Sequence, residues 1–333
     1  MNKSTLSTLP KLAIAVVAIA ILGLGACSKP TAPEAKPQET TNLSTLSIGY
    51  QKAALKLIVA KKNQFFEQQF PNVKIEWKEF PAGPQTLEAL SVGAIDFGYT
   101  GDAPIIFALS AGKNLQYLGS EQGAKQSHAV LVPPNSPLSN IQALKGTRIA
   151  LTRGSSAHYF LAETLKEAGL TWADIQPIWL SPADARAALD KKAVDAWVVW
   201  EPYISATEKQ GNAKILFDSS NLPSIYTFYS AYPKFIQQHP QQALQVIEVL
   251  NKTDQWIIDH PQAAAEILAQ STGLDVDIAA RVISKKPIPN QVSLLTPEVL
   301  KTQQVVADTF YDLKLIPNPA KVDTAAWNGK GSE

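Results

Sequence analysis

The chain has 333 residues, with one cysteine, one methionine and a formal charge of +1 from 30 basic and 29 acidic side chains. Without a basic excess it has no stripe to hold nucleic acid, and no nucleic-acid partner is expected. A single cysteine excludes a disulfide framework and a thiolate metal site, and the length exceeds the usual single core, which predicts two domains.

The N-terminus carries Lys3 and Lys11, then an uncharged apolar run from Leu12 to Leu24, then Gly25-Ala26-Cys27. This is the layout of a secretory signal peptide over residues 1–26. The run is too short to span a bilayer, which takes about 20 residues. Leu24-Gly25-Ala26-Cys27 resembles a bacterial lipobox, so Cys27 is expected to be lipidated and to anchor an exported protein to a membrane. An ordinary cleaved signal is the alternative. Loss of Lys3 and Lys11 would leave a charge of about −1 and no methionine, since the only one is Met1. Residues 27–44 are rich in Pro, Thr, Glu and Lys and read as a flexible tether.

From Leu46 the pattern alternates strand and helix. A first series runs Leu46–Tyr50 (strand), Ala53–Phe70 (helix), Val73–Phe80 (strand), Pro84–Val92 (helix), Ile95–Tyr99 (strand), Ala103–Ala111 (helix) and Leu115–Gly119 (strand). A second runs from Thr147–Leu151 through helices at Ala157–Ala168, Ala183–Lys191 and Tyr203–Lys209, with strands at Pro177–Leu180, Asp195–Trp200 and Ile215–Phe217. Beyond Pro240 the chain is helical. Two such series predict an α/β protein with two mainly parallel sheets. Two extended stretches, 128–135 and 224–232, are expected to cross between the domains as a hinge. Domain one then comprises 45–130 and 231–333, and domain two comprises 131–230.

Ligands of open parallel sheets sit at the carboxyl ends of strands, which selects four junctions. These contain Gln51; Thr100, Gly101 and Asp102; Ser155, Ser156 and His158; and Trp200 with Glu201. Gly154-Ser155-Ser156 opens a helix whose free N–H groups would take an anion, although either serine could simply cap it. Asp102 before Ala103-Pro104 is a good N-cap. Trp197 and Trp200 suit core or cleft lining. Ser156 with His158 carries no triad geometry. No metal-ligand spacing, P-loop or dinucleotide glycine motif is present, so neither metal nor cofactor is expected, nor enzymatic activity.

With these segments in place, the chain resembles the substrate-binding proteins of ABC importers for aliphatic sulfonates, taurine and nitrate, most of all the aliphatic sulfonate receptors. The resemblance rests on Gly49-Tyr50-Gln51-Lys52, the segments 79–85 and 96–102, Gly154-Ser155-Ser156-Ala157-His158, the segment 182–188, and 195–203. It implies a two-domain periplasmic-binding-protein fold of type II, joined by a two-strand hinge. It also implies a monomeric, non-enzymatic receptor that delivers a sulfonate to a membrane permease. Gln51, Gly101, Asp102, Ser155, Ser156, His158 and Glu201 would surround the ligand. Arg186 would reach Asp102 or Glu201. Taurine, nitrate or another small anion is the alternative ligand, and a secreted hydrolase or pyrimidine-synthesis-like enzyme of the same fold is the competing class.

Overall fold

The computed structural model describes residues 42–222 and 225–331, so Cys27 and most of the tether lie outside the described residues. The first series consists of strands β1 (Thr45–Tyr50), β2 (Lys74–Glu79), β3 (Phe97–Thr100) and β4 (Gln116–Gln122). Between them lie helices α1 (Leu55–Lys62), α2 (Phe65–Gln69), α3 (Gly83–Ser91) and α4 (Ala103–Ser110). The second series has β5 (His128–Val132), β6 (Arg148–Leu151), β7 (Gln176–Trp179), β8 (Ala196–Trp200) and β9 (Lys214–Asp218). Its helices are α5 (Ser156–Glu167), α6 (Pro182–Asp190) and α7 (Tyr203–Lys209). β10 (Tyr226–Ala231) then leads into α8 (Pro233–Gln238), α9 (Pro240–Asp259), α10 (Pro261–Thr272), α11 (Val276–Ser284) and α12 (Pro297–Asp312).

The strands form two five-stranded sheets, ordered β2-β1-β3-β10-β4 and β7-β6-β8-β5-β9. Both are mixed but mainly parallel: four strands of each run the same way and one runs against them. In the first, β1 pairs parallel with β2 and β3, while β10 is antiparallel to β3 and β4. In the second, β6 pairs parallel with β7 and β8, while β5 is antiparallel to β8 and β9. The reversed strand of each sheet is the one by which the chain arrives from the other lobe. Such a strand enters at the end where its neighbours finish, so it must run against them.

The stretches expected to cross between domains each belong to one sheet. β5 pairs only within the second sheet and β10 only within the first. The chain passes between sheets just before each, from Gln122 to His128 and from Asp218 to Tyr226. The two crossings are bonded together. Gly123 N–H donates to the Ile225 carbonyl at 2.8 Å, and the Ser219 hydroxyl accepts from His128 N–H at 3.2 Å while donating to the Lys125 carbonyl.

The single helix expected over 53–70 is broken, because Gln64 adopts φ 56° and ends α1. The break lets α2 turn Phe66 onto Trp77 and Phe97, with ring centroids 5.5 and 5.8 Å apart. The first sheet is covered on one face by α1, α2 and α8–α11, around Ile48, Phe66 and Leu250. Its other face packs against α3, α4 and α12, around Leu90, Ile106 and Phe310. The second lobe has its own core around Val130, Leu161 and Trp197. Among the described residues no helix is long and apolar enough to cross a membrane.

Candidate functional site

The loops after β1, β3, β6 and β8 meet at one chamber between the sheets. Gln51, Gly101, Ser155, Ser156, Trp200 and Glu201 line it. The lobes touch here: a Cβ added to Gly101 would lie 2.7 Å from the Ser156 Cβ. Any side chain at residue 101 would therefore wedge the first lobe away from the start of α5.

The start of α5 is the chemically distinctive part. Gly154 takes φ 71°, a left-handed conformation that suits glycine, and Ser155 occupies the N-cap position. Its side chain does not cap the helix; its hydroxyl donates backwards to the Thr152 carbonyl at 2.8 Å. Among the described residues no side chain takes the first-turn N–H groups of α5, so those of Ser156 and Ala157 stay available at the positive end of a 12-residue helix. The Ser156 hydroxyl is 2.7 Å from His128 Nε2, and the Ser127 hydroxyl is 2.9 Å from Nδ1 of the same ring. Burial pushes the His128 imidazole down to about 3, so it is neutral and one nitrogen donates while the other accepts. A tautomer with the proton on Nε2 would donate to Ser156 and free that hydroxyl to donate to a ligand.

Gln51 is buried and donates to the Tyr99 carbonyl at 2.8 Å. Trp200 faces the chamber, edge-on to Tyr203, whereas Trp197 is core. Glu201 is already engaged. It accepts from the Ser205 hydroxyl at 2.8 Å and from Ser205 N–H at 3.1 Å, and pairs with Lys285 at 2.5 Å. Arg186 reaches neither carboxylate; its guanidinium donates to Gln210. The cation on Glu201 is Lys285, from the far lobe.

Three of the expected residues lie off this chamber. Thr100 is fully buried and its hydroxyl has no partner among the described residues. Asp102 caps α4, accepting Ala103 N–H at 2.7 Å, and lines a second chamber beyond Ser156. His158 is enclosed by Phe107, Trp172, Trp179 and Phe310, with ring centroids 4.9 to 5.5 Å away. Its Nδ1 accepts Gly154 N–H at 3.2 Å, holding the turn into α5, and burial lowers its pKa to about 3. Four aromatic side chains from distant segments make this cage, which no local spacing announces.

His128, Lys285 and Lys286 also line the chamber, and none of them stands at the strand-end junctions that the sequence singles out. Lys52 and Lys286 line the chamber, and among the described residues neither has a carboxylate within 4 Å, so the wall carries positive charge outside any ion pair. Burial lowers the Lys286 pKa, and the charges of Glu121, Asp254 and Glu201 oppose that shift. The Lys285-Lys286 pair ahead of Pro287 was the available signal. Among the described residues no cluster of His, Cys, Asp or Glu is placed to hold a metal.

The comparisons with known proteins agree with this geometry. Residues 51–264 match the family described as NMT1/THI5 like. An aliphatic sulfonates-binding protein of Escherichia coli (strain K12) is 37% identical over 313 residues, covering 94% of this chain and 96% of the relative. The alkanesulfonate-binding protein of Xanthomonas axonopodis pv. citri, solved bound to MOPS, superposes with a TM-score of 0.82 at 40% identity, covering 86% of this chain and 99% of that one. The periplasmic aliphatic sulphonate binding protein of Escherichia coli gives a TM-score of 0.78 at 38% identity, covering 86% and 98%. The chain therefore belongs to the NMT1/THI5-like family and has the two-lobed periplasmic-binding-protein fold of these relatives.

Proposed function

We propose that the protein is the solute receptor of an ABC importer, closing on an aliphatic sulfonate and handing it to a membrane permease. The observation that carries this reading is the open N-terminus of α5 beside unpaired Lys52 and Lys286. A sulfonate is ionised throughout the physiological range and offers three acceptor oxygens. The Ser156 and Ala157 N–H groups, the Ser156 hydroxyl and the helix dipole suit those oxygens. The family resemblance and the binding activities named for the two solved relatives favour the same ligand class. Both relatives are binding proteins, which favours a receptor over an enzyme.

Cys27 would carry the lipid anchor, and the tether would keep the receptor beside its permease, on the periplasmic or outer side of the membrane. Nitrate is planar and smaller and would leave part of this donor set unused.

Calorimetric titration of the mature protein tests the ligand. Ethanesulfonate and butanesulfonate should bind and nitrate should bind far more weakly. Ser156→Ala should weaken the sulfonates about 10- to 50-fold, the loss of one hydrogen bond to a charged group. Nitrate binding without sulfonate binding would contradict the assignment.

A further inference from the structure

The chamber at α5 does not end there. His128, Ser156, Ile225 and Tyr226 line both it and a second chamber toward α12. The two differ in size and in charge. The first encloses about 70 Å³ and is bordered by Lys52, Lys285 and Lys286 against a single carboxylate, Glu201. The second encloses about 520 Å³, with Tyr159, Phe160, Leu222 and Val306 among its walls.

The carboxylates and amines that line the second chamber are Asp102, Glu163, Lys166, Glu298 and Lys301. Glu163 pairs with Lys166 at 3.9 Å through Oε2 while its Oε1 is buried without a partner among the described residues, and Glu298 and Lys301 stand exposed at the rim. Asp102 differs from all of these. It is 2% exposed, it borders the chamber, and no lysine or arginine among the described residues lies within ion-pair distance of it. Its carboxylate accepts one hydrogen bond from another residue among the described residues, that of the adjacent Ala103 N–H, while its backbone carbonyl accepts from Gln303 at 2.7 Å. Burial without a countercharge raises its pKa to about 7.

We propose that the ligand itself supplies the missing cation: a sulfonate whose tail carries a protonated, substituted amine, with the sulfonate at the start of α5, the amine facing Asp102, and the amine's substituents against Tyr159 and Phe160. Asp102 is then the residue that selects the tail. This deepens the sulfonate reading and rests on it. The spacing fits, because Gly101, the residue before Asp102, touches Ser156 across the neck. The two charged groups of the ligand are therefore separated by only a few carbons. An uncharged alkyl tail would leave a buried carboxyl facing hydrocarbon, and such an unmet polar group is an effective basis for discrimination.

The test is calorimetry at pH 8 on the mature protein with butanesulfonate and 3-(piperidin-1-yl)propanesulfonate, and with 3-(dimethylamino)propanesulfonate as a ring-free amine; both amines stay protonated at that pH. Both amines should bind at least 10-fold more tightly than butanesulfonate, and in Asp102→Asn that ratio should fall toward one. Equal or tighter binding of butanesulfonate by the natural chain overturns the proposal while leaving the sulfonate reading intact. So does a ratio that survives in Asp102→Asn. If none of the three binds, the sulfonate reading itself is wrong and the proposal falls with it.

Discussion

Asp102 shows how one residue serves two purposes at different costs. As a cap it satisfies the first N–H of α4, and this much was legible from Asp-Ala-Pro alone. Its burial was not legible, because the groups around it come from α5 and α12, more than 50 and nearly 200 residues away. Burial raises its pKa from 3.8 to about 7. Between those values the native chain holds more protons than the unfolded one, so this group's contribution to stability falls as pH rises through that window. The loss has a ceiling of roughly 4 kcal/mol. Asp102→Asn should raise the melting temperature of the ligand-free protein at pH 8 and change it little at pH 4. Thermal melts at the two pH values check this, and a variant no more stable than the natural chain at pH 8 contradicts it. His158 teaches the complementary lesson. Its place in Gly-Ser-Ser-Ala-His suggested a ligand contact, but the ring faces into an aromatic cage and its chemical task is to hold Gly154.

Most elements were legible to within one or two residues, because apolar alternation and helical spacing are local signals. Their pairing across the cleft was not, since ion pairs between distant helices leave no such trace. α7 and the loop before it meet α11 through three sets of opposite charges. Glu201 pairs with Lys285, Glu208 with Arg281 at 3.2 Å, and Lys209 with Asp275 and Asp277 at 3.1 and 2.8 Å. All of them join the second lobe to the C-terminal helices of the first, so they exist only while the cleft is shut. The outer pairs are solvent-exposed and worth about 0.2–1 kcal/mol each. The Glu201–Lys285 pair is largely shielded from solvent. Removing Lys209 and Arg281 together, as alanines, should weaken sulfonate binding about 3- to 10-fold in 50 mM salt. In 500 mM salt the difference from the natural chain should largely vanish, because screening has already removed the outer pairs. Titrations at the two salt concentrations check it, and an effect that persists undiminished at high salt contradicts it.

At the scale of the molecule, the order of elements along the chain is enough to imply two lobes and two crossings. It does not reveal which sheet each crossing strand joins, because β5 and β10 are apolar runs that would suit either interior. Nor does it reveal their direction, which follows from the end at which the chain enters. The two crossings share hydrogen bonds at Gly123–Ile225 and through Ser219, so the lobes are tied at one narrow place and free to close elsewhere. A ligand that bridges α5 of one lobe and the Gly101 loop of the other would shift this hinge toward its closed population.

The most direct test of the account is a crystal structure of the mature protein with butanesulfonate. The sulfonate should lie between the lobes, with oxygens within hydrogen-bond distance of the Ser156 and Ala157 N–H groups and the Ser156 hydroxyl, and the carbon tail directed past His128. A sulfonate bound elsewhere, or one in the cleft that leaves the start of α5 untouched, would contradict it.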